Sequence, residues 1–295
     1  MTVLKRVISG IILFAFVISI FIFGGYFLAA GALAVSLLGF WELSKAFAHP
    51  RPAEGEDRSP LPAKKKFDYM DALGLVGIVG YYACMVYFSS PIYQFVVVAL
   101  FVLSLLFVYV CSFPKVPIER ISNLVFSFIY CPVMISFAYM TREAEGVGKY
   151  LIWMILISSW GCDTCAYIVG MAIGKKRIFP LLSPKKSLEG CIGGIVGCGI
   201  LGGLYGYFCF GKYGGYLEAH PHIYIFTAII CMFGGVVGIM GDLVASGIKR
   251  NKGFKDYAKL IPGHGGIMDR IDSTIPTAPA VYFLSLLILE GYLKL

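Results

Sequence analysis

The sequence predicts an all-α, polytopic integral membrane protein of about nine transmembrane helices. Composition points there first: 58% of the residues are hydrophobic and 14% charged, with a mean hydropathy of +0.80. An average soluble domain is about a quarter charged. Apolar runs also recur at the roughly 20-residue length that one helical crossing of a bilayer needs. The third observation is the placement of charge between those runs.

The runs fall near 4–22, 25–47, 69–89, 92–112, 121–141, 150–174, 190–210, 222–246 and 273–293. The first opens with Lys5 and Arg6, and the apolar stretch that follows them imitates a secretory signal. Its apolar stretch exceeds the usual h-region of about 7–15 residues and passes into "FLAAGALA" without a polar break, so a retained first helix is expected. The split between the first two spans rests on "FGGY" at 23–26, read as a tight turn. With nine alternating spans, 21 of the 25 Lys and Arg lie on the N-terminal side, leaving Arg142, Lys149, Lys212 and Lys294 on the other. The positive-inside rule then places the N-terminus in the cytoplasm and the C-terminus outside. The expected setting is a bacterial-type inner (cell) membrane with the active site facing the cytoplasm.

The domain reading follows from the loops. Residues 1–145 are expected to be transmembrane helices with a basic cytoplasmic loop at 49–66, rich in Pro and mixed charge. That loop reads first as a topology anchor leaning on anionic lipid. Residues 146–295 are expected to carry the chemistry, with cytoplasmic loops at 175–190 and 247–272. The seventh span is full of glycine. Gly190 with Gly194, Gly199 with Gly203, and Gly202 with Gly206 are four apart, which lets another helix approach closely and offers a possible homodimer face. The nine cysteines sit mostly in apolar runs and read as small hydrophobes rather than a disulfide framework. "CDTC" at 162–165 has neither a second Cys pair nor a nearby His, so a zinc or redox role is set aside. No internal repeat of the transporter kind is evident.

Acids near the membrane carry the information about chemistry, because a carboxylate within a span costs about 2.5–3.5 kcal/mol on insertion scales. Asp163 lies within the sixth span, Asp242 near the cytoplasmic end of the eighth, and Asp269 and Asp272 at the opening of the ninth. Spaced three apart on a helix, Asp269 and Asp272 are expected to share a face. Asp242 and Asp269 flank one loop, which holds Lys249, Arg250, Lys252, Lys255 and Lys259. Carboxylates hold Mg²⁺ through one or two ligands while phosphate oxygens complete its shell. Lys and Arg neutralise the remaining phosphate charge. Gly263, Gly265 and Gly266 let backbone amides come close to an anion. Helix capping explains one Asp here equally well, but not Asp163, Asp242 and the basic loop together. In the other loop, "SPKKSLEG", Ser187 is a possible N-cap, Glu189 falls in the first helical turn, and Lys185 and Lys186 reach toward phosphates.

These residues resemble the signature of the CDP-diacylglycerol synthase (phosphatidate cytidylyltransferase) family. The match comprises Ser246, Lys249-Arg250, Lys255-Asp256, His264-Gly265-Gly266 and Asp269-Arg270-x-Asp272. An upstream block also matches: Asp163, Ala166-Tyr167, Gly170, Gly174-Lys175, Ser183-Pro184-Lys185-Lys186 and Glu189-Gly190. The resemblance is specific over roughly 155–295, and Cys165 and Cys191 depart from it. It implies a nucleotidyltransferase that transfers the cytidylyl group from CTP to phosphatidic acid, giving CDP-diacylglycerol and pyrophosphate for phospholipid synthesis. It further implies Asp242, Asp269, Lys249, Arg250 and Asp272 as catalytic. Asp242 and Asp269, supported by Asp163 and Asp272, are the expected metal ligands for Mg²⁺, and the resemblance allows a second cation (Mg²⁺ or K⁺). Ser246, Lys185, Lys186, Lys255, His264, Gly265, Gly266 and Arg270 are the substrate-binding set for the phosphates of CTP or phosphatidate. Partners are CTP, phosphatidic acid drawn from the bilayer and membrane lipids, with no nucleic acid. Two other readings are a CTP-dependent lipid-alcohol kinase of the dolichol or phytol type and, more remotely, an ion or phosphate-metabolite transporter.

Overall fold

The structure is a computed structural model that describes residues 3–50, 59, 66–88, 90–216, 218, 220–260 and 265–290. Among these residues all extended regular structure is helical. The helices are α1 (Val3–Phe23), α2 (Gly25–Ala48), α3 (Tyr69–Tyr87), α4 (Ile92–Ser112), α5 (Ile118–Glu143), α6 (Gly148–Ile173), α7 (Leu188–Tyr213), α8 (Ile223–Lys252), the single turn α9 (Met268–Ile271) and α10 (Thr274–Ser285). By length and apolarity, α2 to α8 and the segment Met268–Ile288 are each able to cross a membrane, making eight among the described residues, and Ser9–Phe23 of α1 is a shorter apolar helix. Each expected span falls on one of these helices, the ninth only as far as residue 290, since 291–293 lie outside the described residues.

Local chemistry explains where the helices begin and stop. The "FGGY" turn forms because Gly24 and Gly25 take φ of 62° and 49°, a left-handed conformation that side chains disfavour. The α5 run continues past Pro132, whose missing N–H is accommodated by a π-helical turn at Ile129–Val133. The eighth run outlasts its expected end near 246, since Ser246, Lys249 and Arg250 are ordinary helix formers once clear of the apolar stretch. It stops at Gly253, with φ of 69°. There the Phe254 N–H donates to the Lys249 carbonyl at 3.1 Å and the Gly253 N–H to the Arg250 carbonyl at 3.3 Å, closing a Schellman motif.

The chain divides into two compact units, 1–136 with 248–270 and 137–247 with 271–295, so the boundary falls within α5 and again within α8. The sequence reading kept the whole of 146–295 together. The structure instead groups the second basic loop with the N-terminal helices, because its motif residues are held by α2.

In the first unit, an aromatic cluster joins α2, α3, α4 and α5. Phe101 stacks on Phe128 at 4.4 Å between ring centroids, and Phe40 and Tyr81 meet the same ring edge-on. A side chain at Gly74 would run into the Phe40 ring, so glycine there lets α2 and α3 close. At the polar end of this cluster Arg120 ion-pairs Asp71 at 2.8 Å and Asp68 at 3.1 Å. Asp68 also caps α3 in a reciprocal capping box with Asp71.

The second unit packs through the glycines of α7. A side chain at Gly190 or Gly194 would strike the backbone of α6 at Ala166 or Cys162, and one at Gly202 would strike Cys231 of α8. The close helix approach expected of this stripe is thus realised inside the chain. The cysteines are free thiols. Cys162 and Cys198 lie buried in a small apolar cluster with Ile239.

Candidate active site

In the second unit the basic loop after α6 is pinned at both ends by α7. Ser187 caps α7, accepting the Gly190 N–H at 3.2 Å, and Glu189 stands in its first turn, as the sequence suggests. Glu189 does more: its carboxylate accepts the backbone N–H groups of Lys175 at 3.0 Å and Lys176 at 3.2 Å. The Leu188 N–H donates to the Lys176 carbonyl at 2.8 Å, and the Arg177 guanidinium donates to the Lys185 carbonyl. A loop of five cations is thereby folded back on itself rather than left to swing. It walls a cavity of about 570 Å³ lined by Asp163, Tyr167, Arg177, Ser183, Lys185 and Lys186 among others.

Lys186 reaches from this wall to Asp242 of α8, with 2.6 Å between Nζ and Oδ2. The ammonium makes no well-aligned hydrogen bond, so the link is chiefly electrostatic. Asp163 faces the same cavity, takes the Ser273 hydroxyl as a donor, and lies within the fields of Lys186 and Asp242. Two carboxylates share one lysine here.

In the first unit the corresponding carboxylate is Asp269. It accepts Lys249 Nζ at 2.8 Å, the Tyr257 N–H at 3.0 Å and the Gly266 N–H at 3.1 Å, and its side chain is 6% exposed. Lys249 also lies 5.6 Å from the centre of the Tyr257 ring. The loop after α8 is tied to α2: Lys252 Nζ donates to the Phe47 carbonyl at 2.9 Å and the His49 carbonyl at 3.3 Å.

The remaining expected residues are distributed as follows. Ser246 and Arg250 are half-buried on α8, while Lys185, Lys255 and Arg270 are exposed. Gly265 has φ of 80° and its neighbour Gly266 spends its N–H on Asp269. Gly263 and His264 lie outside the described residues. The shared face expected of Asp269 and Asp272 does not form as a helix face, since α9 ends at Ile271 and Asp272 stands in the turn beyond it. There its carboxylate accepts the Ser273 N–H at 2.9 Å, the local bond by which Asp competes with helix continuation. Asp242 and Asp269 belong to different units.

Sequence reasoning missed two contributors. Tyr257 offers no signal beyond its place in the motif. Glu42 does: it is a carboxylate inside an apolar run, and the rule that singled out Asp163 applies to it equally.

Among the described residues no group of three His, Cys, Asp or Glu side chains converges as a ready-made metal cage. Mg²⁺ does not require one, because it keeps waters and binds through one or two carboxylates plus substrate phosphates. The donor set fits that pattern. Asp163 and Asp242 offer hard oxygens opposed by a single lysine, and Asp269 offers another held in fixed orientation.

Helices of membrane-spanning length, paired Asp and Lys groups, and basic loops folded beside them are what a membrane enzyme acting on phosphate groups requires. The chain belongs to the cytidylyltransferase family, whose family model matches residues 4–288. It is 30% identical over 227 residues to a phosphatidate cytidylyltransferase of Bacillus subtilis, covering 75% of this chain and 81% of that one. With the Haemophilus influenzae phosphatidate cytidylyltransferase it shares 29% identity over 293 residues, 93% of this chain and 96% of the other. A Staphylococcus epidermidis phosphatidate cytidylyltransferase is 38% identical over 161 residues, 54% of this chain and 56% of the other.

Proposed function

We propose that this protein transfers the cytidylyl group of CTP to phosphatidic acid, releasing pyrophosphate and forming CDP-diacylglycerol. The observation that carries the proposal is that each unit of a cytidylyltransferase-family chain presents an aspartate paired with a lysine at a basic loop: Lys186 with Asp242, and Lys249 with Asp269.

An oxygen of the lipid phosphate attacks the α-phosphorus of CTP. The α–β anhydride bond breaks, and the bonding pair leaves with pyrophosphate. The attacking group is a phosphate monoester already ionised at neutral pH, so no general base is needed. What the protein must supply is alignment and neutralisation of charge. Lys185, Lys186, Lys249, Arg250, Lys255 and Arg270 serve as the phosphate-binding cations, with Ser246, Gly265 and Gly266 as hydrogen-bonding or backbone neighbours. Mg²⁺, when bound, would neutralise phosphate charge and order its oxygens, and a second cation, Mg²⁺ or K⁺, would add to that. The carboxylates proposed as cation ligands are Asp242, with Asp163 and Asp272, in one unit and Asp269 in the other, each taken within its own unit. In the resting arrangement Lys186 and Lys249 act as their counter-ions. Were Lys186 or Lys249 to turn to a substrate phosphate, the carboxylate it leaves would be free to hold a cation.

The charge asymmetry of the loops supports a cytoplasmic face for this chemistry, in a bacterial-type cell membrane, where CTP is dissolved and phosphatidic acid enters from the bilayer. A homodimer through α7 is the less supported part of the reading, because those glycines face helices of the same chain.

The test is to incubate the detergent-purified protein with CTP labelled at the α-phosphate, Mg²⁺ and phosphatidic acid, and in a parallel reaction with a lipid alcohol in place of phosphatidic acid. Label passing into a chloroform-soluble lipid with stoichiometric pyrophosphate, and lost on chelation, is the expected result. Label remaining in water as CDP, with a lipid alcohol phosphorylated instead, would sink the proposal in favour of a lipid-alcohol kinase.

A further inference from the structure

Glu42 lies in the middle of an apolar sequence, "LLGFWELSKAFA", yet is 4% exposed and carries both carboxylate oxygens away from water. A carboxylate so placed costs several kcal/mol unless it is fully hydrogen-bonded. Its partners are backbone groups of the signature loop. The Ile267 N–H donates to Oε1 at 3.0 Å and the Met268 N–H to Oε2 at 2.9 Å. These donors head the single turn α9, which has no other helix-internal acceptor for them. Gly266 completes the fit, since a Cβ there would lie 2.5 and 2.8 Å from the two Glu42 oxygens. One turn earlier on α2, Gly39 leaves the space that Cys131 and the fully buried Met268 occupy. All of these residues lie in one unit.

We infer that Glu42 is a positioning residue for the reaction: by gripping the Ile267 and Met268 amides it fixes the backbone from which Asp269 projects. Asp269 is built into the same stretch. Its carboxylate closes back on the Gly266 N–H, one residue before the amides that Glu42 holds. Two carboxylates thus use three consecutive N–H groups, Glu42 taking 267 and 268 and Asp269 taking 266. Release of the Glu42 grip frees the segment to rotate, and Asp269 loses the direction in which it meets Lys249 and Tyr257. Glu42 itself touches no substrate in this assignment. The inference rests on the proposed function only for the word "reaction"; the grip is a property of the fold.

The experiment compares wild type, Glu42→Gln, Gly266→Ala and the double variant, full-length in detergent. Amide hydrogen exchange is followed over 265–271, alongside thermal midpoint, kcat and the KM values for CTP and phosphatidic acid. A glutamine keeps the shape but must turn an NH₂ toward one of two donors. The expected result is exchange over 265–271 at least tenfold faster, with protection across α3 and α4 unchanged. kcat should fall about 10- to 100-fold with KM values within threefold. Gly266→Ala should give the same phenotype by crowding the carboxylate, and the double variant should be little worse than either single one, as expected of residues acting through one contact. Unchanged exchange over 265–271 in both single variants would overturn the inference. So would protection lost evenly throughout the unit, which would make Glu42 a general support. An inactive wild type would count against the proposed function alone, since the exchange measurement reads the grip independently.

Discussion

The two basic loops hold the same kind of ion pair in different ways. Asp269 is gripped by a lysine and two backbone amides, with its side chain 6% exposed. Asp242 is 28% exposed and meets a lysine whose ammonium is poorly aligned with it. The supports differ as well. Glu189, at the solvent-facing start of α7, fastens the first loop by two amides, whereas the buried Glu42 fastens the second. Backbone donors cannot leave, but a lysine can. In the proposed reaction Asp269 would therefore be the fixed carboxylate and Asp242 the yielding one, with Lys186 the partner that exchanges.

Substitution of Asp269 is the severest way to break this comparison. Asp269→Asn should lower kcat/KM about 10³-fold, the scale of losing one preorganised electrostatic group. It should also lower stability by about 1–3 kcal/mol, since Lys249 and a backbone donor lose a buried acceptor. A denaturant or thermal melt beside the label-transfer assay checks both. Asp242→Asn should cost about 10²-fold in activity but change stability by less than about 1 kcal/mol, as befits a partly exposed pair. Equal destabilisation by the two variants would erase the proposed asymmetry. Lys186→Met should raise the KM of one substrate about tenfold, a loss on the scale of one charge-assisted hydrogen bond, while leaving the melt nearly unchanged; steady-state kinetics with each substrate varied in turn identifies which. The smallest effect belongs to Glu189→Gln. Amide exchange at Lys175 and Lys176 should quicken several-fold, with activity falling no more than about threefold.

Most of the fold was legible because the bilayer imposes a length on each apolar run, and nothing in the chain hides it. The "FGGY" turn, the Ser187 cap and the close packing of the α7 glycines were each visible from local chemistry. What eluded the sequence was long-range. Nothing near Gly253 announces that the helix before it continues past 246, and nothing near Ile267 announces a carboxylate 225 positions earlier. The acids of the site stood out because charge is scarce in such a chain. Their lysine partners did not, since which of several cations meets which carboxylate is decided by backbone geometry rather than by spacing. Arg120 shows the same gap: read as one more charge on the basic side, it joins Asp68, Asp71 and the start of two helices.

The grip of Glu42 also has a history within each molecule's synthesis. α2 leaves the ribosome 225 residues ahead of Ile267, and at roughly 5–20 residues per second the interval is on the order of tens of seconds. Throughout it, a carboxylate sits in an apolar helix with its final donors not yet made. The newborn N-terminal helices are therefore incomplete in a particular place, and the arrival of the signature loop is what discharges that deficit. A chain cut short before residue 267 lacks more than its chemistry: it leaves the Glu42 carboxylate of α2 without the two amides that hold it.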